Sequence, residues 1–409
     1  MSKLFAMEDI NNDVVGEMET TPEMGEAADV QASVDEGVGD MGEATIAIDE
    51  GMGAVDQLEQ VEQVVETAAE GEGLDPVAAE AIRIAVEAIC ARVGADSKKV
   101  FNLYAAENFN SASSRKANTK IALEGVGEFL KDMWKKIKAA LQRLWEKARE
   151  FWDKHVSSLG RIKKALTSAK SNLGNSSGKL KDKAFIEEAP SALMEAFGFK
   201  KDISVAEIKN VIKVHNALTD NADKINAEIQ YLNSMAEASA HAGKTDIDGM
   251  MALVDREFKF GTSNAPMVGG VYITYKFQGD KSEGTLDLDI EREKVDRESK
   301  LGVSLSDKAA LQDLIKETIH VIDNTIRYRD KTKKIDEATN KFFVVLEKRI
   351  VTLSDSASPE DVKEMRKIMK MVYKSNAKAP QLNAEILSFN VKLGKAVLGY
   401  VALCVKNYK

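Results

Sequence analysis

From Ile121 to about Val156 apolar residues return every three or four positions: Val126, Leu130, Met133, Ile137, Leu141, Leu144, Ala148 and Phe151. That spacing puts them on one side of a long helix. Trp134, Trp145 and Trp152 lie beside the same stripe, because a helix turns about 100° per residue. After a Ser-Ser-Leu-Gly break at 157–160 a second helix is expected over SLGRIKKALTSAKSNL, then a loop at 174–183. Residues 185–257 read as several short helices. The period then changes to two: Val271, Ile273, Tyr275 and Phe277 alternate with polar residues, as do Leu286, Leu288 and Ile290 across a Gly-Asp-Lys-Ser-Glu-Gly turn. This is a β-hairpin at about 270–291 with one buried face. Helical spacing resumes at Ser306 and runs to Val351 through Leu311, Leu314, Ile315, Ile319, Ile322 and Ile326. Ser358 and Pro359 open a helix to Tyr373, and Pro380 separates it from a last one at 381–407.

Upstream the pattern is fainter. Residues 1–53 are rich in Gly, Met, Glu and Asp with one aromatic, Phe5. Such a composition buries too little apolar area to offset chain entropy, so disorder is expected to about 53. A helix is expected near 54–69, with Val55, Leu58, Val61 and Val65 on one face. A second spans 76–93, capped by Asp75, opened by Pro76 and ended by Gly94. Residues 95–119 read as a linker. The fold expected is mainly α, a helical body with one small antiparallel β-hairpin, preceded by an acidic, largely disordered N-terminal segment. Three regions follow: 1–107, 108–183 and 184–409.

Charge sharpens this division. The net of −9 hides an asymmetry. Residues 1–96 hold 24 Asp/Glu against three Lys/Arg (Lys3, Arg83, Arg92), a net of −21; residues 97–409 hold 54 basic and 42 acidic residues, a net of +12. An acidic segment of this kind shields a basic body. Cys90 and Cys404 are too few for a disulfide framework and read as buried free thiols. MSKLFAMEDINND has no signal-peptide core, and the apolar run Val397–Val405 is shorter than the ~20 residues that span a bilayer.

Catalytic and metal chemistry find little footing. His155, His215, His241 and His320 share no ligand spacing. GNSSGKL has three residues between its glycines where a phosphate loop needs four, and Leu180 stands where a hydroxyl should be; AGKTD lacks the preceding glycine. Asp246, Asp248 and Glu257 suit a calcium loop, but Met250 and Met251 occupy its fifth ligand and obligatory glycine. No nucleophile motif is present. No cofactor, metal or small-molecule substrate is expected.

Two features remain. Between Lys131 and Lys183 there are fifteen Lys/Arg and five Asp/Glu, a net of +10. Lys131, Lys135, Lys136, Lys138, Arg143, Lys147, Arg161, Lys163 and Lys164 could hold a polyanion without base-specific geometry. The same helix, with Trp134, Trp145 and Trp152 as its amphipathic face, could instead lie in a membrane interface, or these tryptophans could simply pack in a core. The second feature is a small-x-Glu triplet. It ends at Glu8, Glu70, Glu80, Glu87, Glu107, Glu124, Glu150 and Glu360, and five of these eight lie between residues 68 and 124, at the charge boundary. Ala105-Ala106-Glu107, followed by Asn108, precedes a polar stretch that a protease could reach. Ala122-Leu123-Glu124, followed by Gly125, lies inside the expected helix.

In YAAENF, IALEGVGEFLKDMWKKIKAALQRLWEKAREFW and LGRIKKALTSAKSNL, about residues 102–173, the sequence resembles the internal head proteins of giant phiKZ-like tailed bacteriophages. The resemblance implies a non-enzymatic virion protein. Its acidic propeptide would be cut after a small-x-Glu triplet by a prohead protease during capsid maturation. The mature protein would stay in the capsid interior with phage genomic DNA and other virion proteins, after assembly in the host cytoplasm. Glu107 is the preferred cut, Glu124 the alternative. Two other readings stand beside this one: a membrane-active or ejected phage protein acting through the tryptophan helix, and a cytoplasmic helical scaffold with an acidic tail.

Overall fold

The computed structural model describes residues 22–95, 109, 111–175, 185–199, 201–242, 246–261, 265–296, 300–353 and 359–407. In chain order these form α1 (Pro22–Glu70), α2 (Pro76–Arg92), α3 (Ala112–Asn175), β1 (Phe185–Ile186), α4 (Ser191–Phe197), α5 (Val205–Ala242), α6 (Ile247–Met251), β2 (Glu257–Phe260), β3 (Val271–Asp280), β4 (Thr285–Lys294), β5 (Val303–Ser304), α7 (Lys308–Leu353) and α8 (Pro359–Lys406). The protein is mainly α with small antiparallel sheets, as the periodicities predict. It divides into two compact units, one of Gly42–Leu144 and one of residues up to Met41 together with Trp145–Lys409.

The larger unit is built on α5, α7 and α8, which pack on one another. Polar side chains recur inside this bundle at steps of seven, Thr219, Asn226 and Asn233 on α5 and Asn376, Asn383 and Asn390 on α8, and at a step of fourteen, Thr325 and Thr339 on α7, all buried. They meet in three layers. Asn390 Nδ2 donates to Thr219 Oγ1 (3.3 Å) and Thr325 Oγ1 (2.7 Å). Asn383 Oδ1 accepts from Asn226 Nδ2 (3.3 Å) and from the Tyr328 hydroxyl. Asn376 Nδ2 donates to Asn233 Oδ1 (2.7 Å), and its Oδ1 accepts from Asn233 Nδ2 and Thr339 Oγ1, both at 3.2 Å. Residue numbers rise along α5 and α7 as they fall along α8, so α8 is antiparallel to both. Seven residues advance a helix about 10.5 Å. A one-turn slip would therefore set amides against apolar neighbours, and the layers fix the register.

The hairpin packs on this bundle. β3 and β4 pair from Val271↔Lys294 to Asp280↔Thr285, and β2 adds a third strand to β3 that the alternation pattern did not predict. Ile273, Tyr275, Phe277, Leu286 and Leu288 are buried, as expected. Tyr275 donates to Glu385 Oε2 on α8 (2.7 Å), and Arg292 of β4 pairs with the same carboxylate. β1 pairs with β5 in a second, two-stranded sheet.

Several boundaries differ from expectation. Residues 33–53, expected to be disordered, belong to α1. Val34, Met41, Ile48 and Met52 are buried there at 0–1% exposure, so scattered apolar residues suffice when a neighbouring helix receives them. Residues 1–21 lie outside the described residues. The linker expected over 95–119 ends by Ala112, where Ser111 Oγ accepts the Ser114 N–H and caps α3. The break expected at 157–160 is absent, since buried Ser158 and Leu159 keep the helix continuous. The single helix α5 replaces most of the short helices expected over 185–257. Pro380 does not separate two helices but lies inside α8. An interior proline costs about 3 kcal/mol; here Ala377, Ala379, Leu382 and Ala384 are fully buried, and the amide layers at Asn376 and Asn383 hold the backbone on both sides. Of the loop expected at 174–183, residues 174 and 175 instead end α3, and 176–183 lie outside the described residues.

Candidate processing and polyanion-binding surface

The two halves of the expected functional region, the acidic segment and the basic tryptophan helix, meet within each unit. In the unit Gly42–Leu144, α1 and α3 run antiparallel. Gly51 faces Ile137, where a Cβ would sit 3.3 Å from Cγ1; Gly127 faces Glu62; and Gly73 abuts the backbone of Arg115. The Leu74 N–H donates to Thr119 Oγ1 at 2.8 Å in a buried contact. Gly73 has φ +84°, and a Cβ there would lie 2.6 Å from the Arg115 carbonyl carbon, so both the turn and the close approach demand glycine. Asp75 caps α2 through the Val77 and Ala78 N–H groups, both at 2.8 Å, and Arg92 reaches back to Gln57. The stripe Val126, Leu130, Met133, Ile137 and Leu141 is buried in this unit.

In the other unit, Asp35 accepts from Ser388 Oγ (2.9 Å) and pairs with Lys392 Nζ (3.0 Å), while Gly37 lets α1 lie against the Phe151 ring. A Cβ at Gly37 would come within 2.4 Å of Phe151 Cδ2. The acidic segment is thus packed as well as charged.

The three tryptophans are all buried, at 4–6% exposure, which is the core-packing alternative of the sequence reading. Trp152 also stacks at a tilt against Tyr328, 6.3 Å between centroids. The cations point outward. Lys131, Lys135, Lys136, Arg143, Lys147, Arg161 and Lys164 are exposed, and Lys138 and Lys163 are half-buried. Lys135 pairs with Asp132 (3.2 Å), Lys163 with Asp323 (2.6 Å), and Arg329 with Asp153. Glu146 and Glu150 are exposed among the cations, so α3 presents mixed charge with a positive excess.

The cleavage candidates divide. Ala105, Ala106, Glu107 and Asn108 lie outside the described residues. Ala122, Leu123, Glu124 and Gly125 lie within α3, with Ala122 buried and Glu124 exposed. Of the other triplets, Glu70 ends α1 and is followed by an exposed Gly71–Glu72 turn. Glu80 and Glu87 both pair with Arg83 within α2; that pairing holds the Glu80 carboxyl below its usual range.

The histidines are dispersed. His215 is fully buried, with Nε2 accepting the Val268 N–H (3.1 Å) and Nδ1 against Asn390 Oδ1 (2.8 Å); burial lowers its pKa to about 4. His155 packs on Phe151, and burial lowers its pKa too. Among the described residues no group of three His, Cys, Asp or Glu side chains could hold a metal. Cys90 and Cys404 are buried free thiols. Among the described residues one helix, Glu360–Lys406, is long and apolar enough to cross a membrane by length and composition. Its apolar side is spent in the bundle, where Asn376, Asn383 and Asn390 also sit.

No curated protein and no solved structure matches the chain. A family model does, that of the phiKZ-like phage internal head proteins, over residues 23–403. The match takes in the acidic segment, the basic helix, the hairpin and the amide-layered bundle alike, so the chain belongs to the phiKZ-like phage internal head proteins, structural components of the capsid interior.

Proposed function

We propose that this internal head protein is non-enzymatic and is matured by loss of its acidic N-terminal segment to a prohead protease. The cut falls after Glu107, during assembly in the host cytoplasm. The remaining chain then packs non-specifically with genomic DNA. The observation that carries this reading is the charge partition. Residues 108–409 hold 52 Lys/Arg against 41 Asp/Glu, a net of +11 where the whole chain has −9. Removal of one segment therefore reverses the sign of the protein, and a cationic protein binds phosphate by releasing condensed counterions. The exposed cations of α3 suit that role. Glu107 is preferred to Glu124 because the Glu124–Gly125 bond lies inside α3, and a protease would have to open the helix to reach it.

The test is the N-terminal residue of the protein recovered from virions. Asn108 is expected. A start at Met1 or Ser2 would overturn the processing step. For the DNA step, fragment 108–409 should bind duplex DNA with an affinity that falls steeply with salt. Equal binding by the full-length chain at each salt concentration would overturn the charge switch.

A further inference from the structure

We infer that the acidic segment is a folded cover on α3, and that a break between α2 and α3 leaves it seated. In the virion this bears on the processing proposed above, because release of the segment then becomes a step separate from scission.

In the unit Gly42–Leu144, two of the three helices among the described residues, α1 and α2, precede residues 96–108, and the third is the first half of α3. The stripe of α3 in this unit is buried together with Val55, Leu58, Val65, Val86 and Ile89 of α1 and α2. Remove those two helices and the described residues of the unit keep one amphipathic helix, which cannot bury its own apolar side. The contacts that hold the cover are on the page: Gly51 on Ile137, the Gly73 turn on the Arg115 backbone, and Leu74 N–H on Thr119 Oγ1. In the other unit Asp35 binds Ser388 and Lys392, and Gly37 receives Phe151. None involves a residue of 96–108. These contacts are therefore untouched by a cut there, which takes away the effective concentration that the tether supplies. The apolar part of the interface does not respond to salt as an ion pair does.

Two consequences follow. A nicked chain holds its acidic charge in place, so the sign reversal waits for release. Release also uncovers the apolar side of α3 that carries Trp134, whose side chain is buried in the intact chain.

The experiment uses the full-length chain with residues 105–108 replaced by the recognition sequence of a site-specific protease. The chain is cut to completion and run on size exclusion at 0.15 M and at 1 M NaCl. The two fragments are expected to co-elute at both, with tryptophan emission and anilinonaphthalene sulfonate fluorescence unchanged by the cut. Mild urea should then separate them, with a red shift and a rise in dye binding. Separation at 0.15 M would overturn the cover. Separation at 1 M alone would also overturn it, leaving an electrostatic attachment. Because the engineered cut needs no phage protease, the result holds whatever residue begins the virion protein. A virion protein starting at Met1 would sink the processing step and leave the cover standing.

Discussion

Asn376→Ala is the sharpest perturbation of the helical body. The Asn376 side chain is fully buried and makes four hydrogen bonds: to Asn233 Oδ1 and the Val372 carbonyl as donor, and from Asn233 Nδ2 and Thr339 Oγ1 as acceptor. Truncation leaves the Asn233 carbonyl oxygen unpaired and the Thr339 hydroxyl without its acceptor, both out of reach of bulk water. A buried polar group left unpaired costs about 1–3 kcal/mol, so the two together cost about 2–6 kcal/mol. Asn233→Ala should cost a similar amount, since it orphans the Asn376 amide. The double variant removes both carboxamides at once and leaves one hydroxyl, so it should be less destabilising than the sum of the singles by about 1–2 kcal/mol. With two compact units, global unfolding is not guaranteed to be two-state. Native-state hydrogen exchange at the amides of α5 and α8 is therefore the assay, with urea unfolding followed by circular dichroism as a check. An Asn376→Ala variant within about 0.5 kcal/mol of the parent, or strict additivity in the cycle, would refute the claim that the amide layers are closed networks.

Four other outcomes are expected. His215 accepts the Val268 N–H at Nε2, so a second ring proton has no acceptor there; with its pKa lowered to about 4 by burial, its contribution is full above pH 6.5 and falls away as pH drops toward 4. Each pH unit in that window costs about 1.4 kcal/mol. His215→Gln should flatten the corresponding part of the stability–pH curve, and an unchanged slope would count against the burial argument. Gly73→Ala meets a strained φ and the Arg115 backbone; it should destabilise the unit Gly42–Leu144 by at least about 1 kcal/mol, seen as a lower melting temperature and faster exchange in α2. A Glu-specific protease acting briefly on the folded chain should cut after Glu70 or Glu72 before Glu80, Glu87 or Glu124, because only the first two adjoin an exposed turn at a helix end; peptide mapping over time reads the order. Replacing Lys136, Arg143 and Lys147 by alanine in fragment 108–409 should reduce the slope of log affinity for DNA against log salt by up to about 3, and an unaltered slope would move the DNA contact off α3.

How much of this was visible in the residues depends on where the signal came from. The stripe of α3, the hairpin and α2 were legible because apolar periodicity or capping chemistry states them locally. The helicity of α1 was also written in the chain but obscured by composition. Val34, Val38, Met41, Thr45, Ile48, Met52 and Val55 follow alternating steps of four and three, yet the intervening glycines and acids read as a chain too polar to fold. The glycines that argued for disorder, Gly37 and Gly51, are the positions where α3 comes close. The amide layers were missed for a different reason. Thr219, Asn226 and Asn233, and Asn376, Asn383 and Asn390, recur at seven, but a search for apolar periodicity passes over polar residues. Pro380 misled because the helix across it is held by tertiary burial, which local propensity does not see. Residues 105–108, the preferred cut, lie outside the described residues, so the preference for Glu107 still rests on the sequence and on the helical setting of Glu124.

The acidic segment carries two properties that act over different ranges, and this decides what maturation must accomplish. Its charge works through solvent and is screened beyond roughly 10 Å at 0.1 M salt, so in concentrated electrolyte it offers the body little attraction. Its packing works by contact and removes apolar surface from water, a gain that salts do not abolish. If charge alone held the segment, scission would be enough to free it, and the body would become cationic at once. With Val55, Leu58, Val86 and Ile89 buried in the same compact unit as the α3 stripe, scission and release would be distinct events. A break after Glu70 parts α1 from α2, so neither piece keeps the other's share of the packing, and each must hold to α3 through its own contacts alone.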